Sequence, residues 1–227
     1  AGTTNKLVAR IARRVMQGFP GALARGEWCG NPVRPAIATL PPPQQRFAGR
    51  EGLPRLLVLG GSRGALAINQ MLPAALALIE PSQRPQVRHQ TGKLHCAETQ
   101  ALYDAAGVSA EVVAFITQMD EAYGWADFAI CRAGALTCAE LTCAGLGALL
   151  IPFPYAIDDH QTVNGELLVG QGAAQMIAQG DLTPAWLAEQ ISALCADSDR
   201  RLQMAMRARE LAKIGAAERV AAVCLEV

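Results

Sequence analysis

Aromatic residues are scarce in this sequence of 227 residues, at 5% of the chain. Stacking platforms for single-stranded nucleic acid are therefore disfavoured. Net charge is also missing: 20 Lys and Arg stand against 20 Asp and Glu. A formally neutral chain has no broad basic surface and no acidic tail, so no nucleic-acid partner is expected. None of the seven cysteines (Cys29, Cys96, Cys131, Cys138, Cys143, Cys195 and Cys224) forms a C-x-x-C pair, which argues against zinc. Their odd number fits a reducing compartment better than a disulfide framework. The most apolar stretch, 135–153, is broken by Glu140, Gly145, Gly147 and Pro152, and reads as helix, turn and buried strand rather than a membrane span. No signal-peptide pattern opens the chain, and Ala1 is not an initiator Met, so either a processed start or a fragment is expected. There are three histidines, at 89, 95 and 160, with no Ser–His–Asp order and no paired carboxylates. No general base stands out, and no metal site is expected.

What is present is apolar bulk in a regular pattern. Hydrophobic residues make up 51% of the chain and charged residues 18%, enough for one large domain, or one domain with a small appendage. Residues 5–17 are apolar at Leu7, Val8, Ile11 and Val15 and basic at Lys6, Arg10, Arg13 and Arg14, which predicts an amphipathic helix. Its basic face suits either anionic lipid or plain solvent. Residues 27–34 read as a short strand ending in the Asn31-Pro32 turn. Pro41-Pro42-Pro43 and the polar residues to Gly52 read as a semi-rigid linker, which puts a domain boundary there: 1–52 before it and 53–227 after.

From Arg55 the pattern alternates. Strands are expected at 55–59, 86–90, 111–114, 128–131, 148–151 and 173–177. Helices are expected at 65–79 (kinked at Pro73), 97–106, 120–125, 136–144 and 161–169, and at 184–196, 199–213 and 217–225. Continuous apolar strands separated by helices predict an α/β fold: a Rossmann-like parallel sheet covered on both faces. Ligands of such sheets bind beyond the carboxyl ends of the strands.

The unusual residues fall in the loops that follow strands. The segment C-R-A-G-A-L-T-C-A-E (131–140) reads as strand, turn and helix, a geometry that aims unpaired N–H groups and a helix dipole at one point and suits a phosphate. Glu140, about one turn in, is placed to accept hydrogen bonds from a ribose diol, or else is an ordinary solvated acid. Gly60-Gly61-Ser62-Arg63-Gly64 would let a backbone approach a phosphate, with Ser62 donating to it, or would serve packing alone. It is neither a Walker A loop nor G-x-G-x-x-G. Phe115-Ile116 could lie against a base, with the Ile116 N–H and C=O on its edge, or could be a plain strand end. His89-Gln90-Thr91-Gly92-Lys93 reads as a turn with a satisfied His, or as a segment approaching a sugar or phosphate. Asp158-Asp159-His160-Gln161 reads as a helix N-cap, with Gln161 turned to a sugar hydroxyl.

Taken in order, G-G-S-R-G-A (60–65), H-Q-T-G-K (89–93), F-I-T-Q-M (115–119), C-R-A-G-A-L-T-C-A-E (131–140) and P-F-P-Y-A-I-D-D-H-Q-T-x-N (152–164) resemble the C-terminal half of the MurG family. These are bacterial UDP-N-acetylglucosamine: lipid I N-acetylglucosaminyltransferases. G-N-P-V-R (30–34) and A-G-x-T-N-K (1–6) are similar to the end of the family's N-terminal domain and to its interdomain link. The resemblance implies the C-terminal domain of a GT-B glycosyltransferase, two Rossmann-like domains facing across a cleft. It implies that the first 52 residues are a remnant of the acceptor domain plus linker.

The resemblance implies roles for particular residues. Ile116 would read the uracil edge. Glu140 would hold the ribose hydroxyls. Ala135, Leu136 and Thr137 would meet the diphosphate together with Ser62, and Cys138 and Ala139 belong to the same substrate-binding stretch. Gln161 would contact GlcNAc hydroxyls, and Arg34 would reach in from the hinge. It implies no cofactor and no tightly bound metal. UDP-GlcNAc is the implied donor. The lipid I acceptor, the catalytic base and the peripheral contact with the cytoplasmic face of the bacterial inner membrane are assigned to an N-terminal domain that this chain lacks, so donor binding without transfer is expected of it. Arg63 stands where many members have Gln, and Ala133 where many have Ser. The rival readings are another GT-B glycosyltransferase and a non-catalytic nucleotide-sugar-binding module.

Overall fold

The computed structural model describes residues 2–61, 64–156 and 159–226. After a first helix, α1 (Thr3–Ile11), two short strands pair in parallel, β1 (Met16–Gln17) and β2 (Glu27–Trp28). Two short helices follow, α2 (Pro35–Ala38) and α3 (Pro43–Phe47). The main sheet has six strands, β3 (Arg55–Leu59), β4 (Gln86–Gln90), β5 (Glu111–Val113), β6 (Phe128–Cys131), β7 (Ala148–Leu150) and β8 (Ala174–Met176). They run in the order β5-β4-β3-β6-β7-β8, and every pairing is parallel. Between and after them lie α4 (Leu66–Ala77), α5 (Cys96–Ala105), α6 (Met119–Trp125), α7 (Ala135–Ala144), α8 (His160–Gly170), α9 (Pro184–Ala196), α10 (Ser198–Glu210) and α11 (Ala216–Glu226).

The period of two along each strand divides the core. Leu56 and Val58 of β3, Phe128 and Ile130 of β6, and Leu149 of β7 join Ile68 and Leu72 of α4 and Leu187 and Ile191 of α9 in one buried cluster. The alternate residues, Leu57, Leu59, Ala129, Cys131, Ala148 and Leu150, join Ile37 of α2, Ala122 and Tyr123 of α6, and Leu141 of α7 in the other. Alternating residues point to opposite faces of a strand, so both faces of the sheet are dry and helix-covered. That explains why the central strands β3, β6 and β7 read as apolar runs. The chain order reverses between β3 and β6, and the loops after these two strands open on one crevice.

Two stretches near the N-terminus depart from expectation. The amphipathic helix ends at Ile11, and Met16 and Gln17 are extended in β1, where they pair with Glu27 and Trp28. The gain is a strand pairing that no local pattern announces. The segment expected to be a linker is tied down. Arg46 donates to the carbonyl oxygens of Ala144 and Gly145, at the C-terminal end of α7. Arg50 donates to the Gly124 and Ala126 carbonyls and pairs with Asp127. Free helix-end carbonyls attract a guanidinium strongly, so two arginines convert a proline-rich connection into part of the packed body.

The C-terminal helix α11 returns to the N-terminal residues: the Arg219 guanidinium meets both carboxylate oxygens of Glu27, at 2.9 and 3.1 Å.

Candidate functional site

The crevice between β3 and β6 is a cleft of about 290 Å³. Gly60 and Gly61 line it from the β3 loop, Gln90 from β4, and Phe115 and Ile116 from beyond β5. Met119 and Tyr123 of α6, then Arg132, Gly134, Thr137 and Glu140 along the β6–α7 turn, complete it with Arg34.

Helix α7 opens this cleft with bare amides. Its N-cap is Gly134, which has no side chain to cap it, and its first turn holds no acid. By contrast, Thr183 caps α9 and Asp197 caps α10 with their side chains. The Cys138 N–H already donates to the Gly134 carbonyl at 2.9 Å. The unpaired amides of α7 are therefore those of Gly134, Ala135, Leu136 and Thr137. The Cys138 amide is inside the helix ladder, and the side chains of Cys138 and Ala139 are buried, so the amides of α7 that are open to a phosphate end at Thr137. Across the cleft, Gly60 is there because nothing larger fits. A Cβ would sit 2.8 Å from the Gln90 carbonyl oxygen and 3.0 Å from the Ala65 nitrogen.

Glu140 stands on α7 with its carboxylate held from two sides. Arg34 Nη2 donates to Oε1 at 3.2 Å, and the Tyr123 hydroxyl donates to Oε2 at 3.0 Å. Tyr123 is fully buried, and burial, then the Glu140 charge, keeps its hydroxyl protonated well beyond the ordinary tyrosine range. The tyrosine is thus a permanent donor, and it orients the carboxylate of a residue that lines the cleft.

Other expected residues fall differently. The Ile116 side chain is buried, and its N–H is already occupied, donating to Gln90 Oε1 at 3.0 Å. Phe115 is half exposed and offers an open aromatic surface beside it. Gln161 does not line the cleft; its Oε1 accepts the Phe153 N–H at 2.9 Å and braces the loop after β7. Asp159 sits at the N-cap of α8 with φ 48°, yet its carboxylate takes the Thr162 hydroxyl rather than a backbone amide. Ser62, Arg63 and Asp158 lie outside the described residues. His89 is the satisfied residue of the two readings: its ring meets the Tyr103 hydroxyl at 3.0 Å and Asn69 Oδ1 at 3.1 Å.

Three polar side chains of the cleft were given no role of their own by the sequence reading. Tyr123 looked like one more apolar residue of a short helix. Gln90 was passed over inside the H-Q-T-G-K turn. Arg132 follows β6, and its Nη1 donates to the Ile151 and Pro152 carbonyls at 3.0 and 3.1 Å, which ties the β7 loop to the cleft wall. The signal available for each was its place, at or just beyond a strand end or one helix before one. Among the described residues no group of three His, Cys, Asp or Glu side chains is arranged to hold a metal ion.

Residues 55–220 match the family described as glycosyltransferase family 28 C-terminal domain. The chain belongs to this family. It is 52% identical over 227 residues to the UDP-N-acetylglucosamine--N-acetylmuramyl-(pentapeptide) pyrophosphoryl-undecaprenol N-acetylglucosamine transferase of Acidithiobacillus ferrooxidans, covering all of this chain and 63% of that protein. The protein of that name from Marinobacter nauticus is 51% identical over 229 residues, with the same coverage. The crystal structure of Acinetobacter baumannii MurG superposes with a TM-score of 0.88 at 35% identity, over 100% of this chain and 64% of that one. The calicheamicin glycosyltransferase CalG4 shares the fold at a TM-score of 0.57 and 19% identity, over 88% of this chain and 48% of its own. This family 28 chain therefore spans about 63% of the length of the curated relatives it matches.

Proposed function

We propose that this chain is the donor-binding part of an inverting glycosyltransferase that moves GlcNAc from UDP-GlcNAc to the C4 hydroxyl of the MurNAc of lipid I, forming lipid II in peptidoglycan synthesis. One observation carries the reading. At the switch point of the sheet, the uncapped amides of α7, the close backbone of Gly60-Gly61 and a doubly held carboxylate at Glu140 converge on one cleft. Amides and helix dipole suit a diphosphate; the carboxylate suits a ribose diol; Phe115 suits a base. The division at residue 52, with the donor-binding unit beyond it, belongs to the same proposal and is supported by a family match that begins at residue 55.

The chemistry follows from charge. As the acceptor oxygen bonds to the anomeric carbon from the face opposite UDP, the bond from that carbon to the β-phosphate oxygen breaks and its electron pair leaves with UDP. Negative charge grows on the diphosphate, and the α7 amides, already aimed there, hold it more tightly as it grows. Arg34 and Arg132 add positive charge to the cleft lining. The proton of the attacking hydroxyl needs a base, and the one carboxylate among the described lining residues, Glu140, is held by Arg34 and Tyr123 and assigned to the ribose. Donor binding without transfer is the expected behaviour of the chain alone.

Calorimetric titration with UDP-GlcNAc, beside ADP-glucose as control, tests the reading. Saturable binding of the first only supports it. A folded chain that binds neither, or one that makes lipid II unaided, refutes it.

The reading carries with it peripheral contact at the cytoplasmic membrane. The apolar residues Leu7, Val8 and Ile11 of α1 support this: they are 56%, 53% and 87% exposed beside basic Arg10. Sedimentation with anionic but not neutral vesicles is the expected result, and sedimentation with neither removes α1 from the argument.

A further inference from the structure

Gly60 and Gly61 line the cleft without side chains of their own, so the place of this wall is set by what the loop packs against. Both ends of the loop meet consecutive carbonyls at the end of β4. At its entry the Gly60 N–H donates to the Gln90 carbonyl at 2.8 Å. At its exit Gly64, with φ 80°, turns against the Thr91 carbonyl, where a Cβ would lie 2.5 Å from the oxygen. The Gly64 N–H returns to the Gly61 carbonyl at 3.2 Å and closes the turn between them.

The Thr91 carbonyl is in turn held by a chain of buried side chains. Asn69 of α4 donates to it from Nδ2 at 3.1 Å. A carbonyl can only accept, so this bond fixes the amide, and Oδ1 is the atom that meets His89 Nε2 at 3.1 Å. The His89 ring is neutral, because burial pushes its pKa down to about 3. Its one proton therefore sits on Nε2, and the bare Nδ1 accepts the Tyr103 hydroxyl at 3.0 Å. Asn69, His89 and Tyr103 are all wholly buried. Each donor points the same way, from Tyr103 through His89 and Asn69 to Thr91. Apolar side chains of the same shape would fill this space at nearly equal stability; what the polar chain adds is a single arrangement of the groups it joins.

We propose that His89, acting through Asn69, is a positioning residue for the donor diphosphate: the tautomer it holds fixes the Thr91 carbonyl, and that carbonyl sets how near Gly60 and Gly61 stand to the phosphates. The inference rests on the reading of the cleft as a nucleoside-diphosphate site. Asn69, His89 and Tyr103 do not line the cleft. Their effect on binding passes through the glycine-rich loop, and it falls on the phosphates rather than on the base or the ribose.

Two variants cut the chain at different points. Asn69→Ala removes both bonds of the amide. Tyr103→Phe removes only the remote hydroxyl and frees the His89 ring to take its other tautomer. Each is titrated with UDP-GlcNAc by calorimetry, and by NMR with uridine, which has the base and the ribose but no phosphate. Asn69→Ala is expected to weaken UDP-GlcNAc by about tenfold and Tyr103→Phe by about threefold, with uridine held to within about twofold by both. Unchanged UDP-GlcNAc affinity in either variant overturns the proposal. A loss that uridine shares equally also overturns it, because the whole cleft has then loosened. In case a variant fails to fold, the wild-type chain gives an independent reading. Addition of UDP-GlcNAc should shift the Asn69 side-chain NH2 signals, and uridine should leave them in place; silence at saturating UDP-GlcNAc overturns the proposal. A folded wild-type chain that binds neither compound overturns the donor-site reading itself, and this inference with it.

Discussion

Replacing Glu140 separates what holds the cleft together from what the cleft binds. Glu140→Ala leaves the Tyr123 hydroxyl, wholly buried and donating to Oε2 at 3.0 Å, without its acceptor. A buried hydroxyl stripped of its partner costs about 1–3 kcal/mol. The other contact adds little, because the Arg34 side chain is 54% exposed and an ion pair in that position contributes about 0–1 kcal/mol. At about 2–4 °C of Tm per kcal/mol for a chain of this size, a fall of about 2–12 °C is expected. Glu140→Gln keeps an oxygen for Tyr123, so its Tm should stay within about 3 °C of the wild type. Both variants lose the carboxylate that would accept two ribose hydroxyls, and both should bind UDP-GlcNAc about 1–3 kcal/mol more weakly. Scanning calorimetry reads the first quantity and isothermal titration the second. A Glu140→Gln chain that binds donor as tightly as the wild type refutes the ribose role. A Glu140→Ala chain with unchanged Tm refutes the account of Tyr123.

Burial pushes the His89 imidazole down to about 3, so the folded chain keeps it neutral where the unfolded chain, near 6.5, takes up a proton. Stability is therefore full above pH 6.5 and is lost as pH falls toward 3. Urea unfolding at pH 6.5 and pH 5 should show the wild type losing about 2 kcal/mol more than His89→Gln over that interval, and equal losses would refute the assignment. Arg46→Ala removes the guanidinium from the Ala144 and Gly145 carbonyls at the end of α7, where burial and the neighbouring Arg50 lower its pKa to about 10. A loss of about 1–3 kcal/mol in urea unfolding is expected, with donor affinity of the folded chain nearly unchanged, and the reverse pattern would count against a purely structural role. Gly60→Ala must push aside the Gln90 carbonyl and the Ala65 nitrogen. Titration should show donor binding weakened at least about tenfold, and wild-type affinity would mean that this loop yields freely.

The sheet was legible because its central strands repeat one simple fact. Arg55–Leu59 and Phe128–Cys131 were expected with the bounds they have, since a strand buried on both faces is an apolar run with sharp ends; Gln86–Gln90, which is mostly polar, was bounded instead by its place in the alternation. The phosphate-facing turn of α7 was legible for a related reason, because Gly134 and the residues after it are local. What escaped was long-range. Tyr123 and Glu140 are 17 residues apart and become partners only when α6 lies against α7. Gln90 meets Ile116 across 26 residues. Arg46 and Arg50 read as polar linker residues because the carbonyls they satisfy lie some 75 to 100 positions away. Helix periodicity over 5–17 said nothing of the pairing that draws Met16 and Gln17 into β1.

The uncapped amides at the start of α7 bear on drug resistance. A side chain that grips an inhibitor can be exchanged by one nucleotide change, and the grip is lost. An amide survives every substitution except proline, and the groups offered at Gly134 through Thr137 belong to the course of the main chain rather than to the identity of any residue. A compound that draws its affinity from these four N–H groups leaves a resistant strain few routes of escape short of moving the helix, and much of α7 is packed into the core.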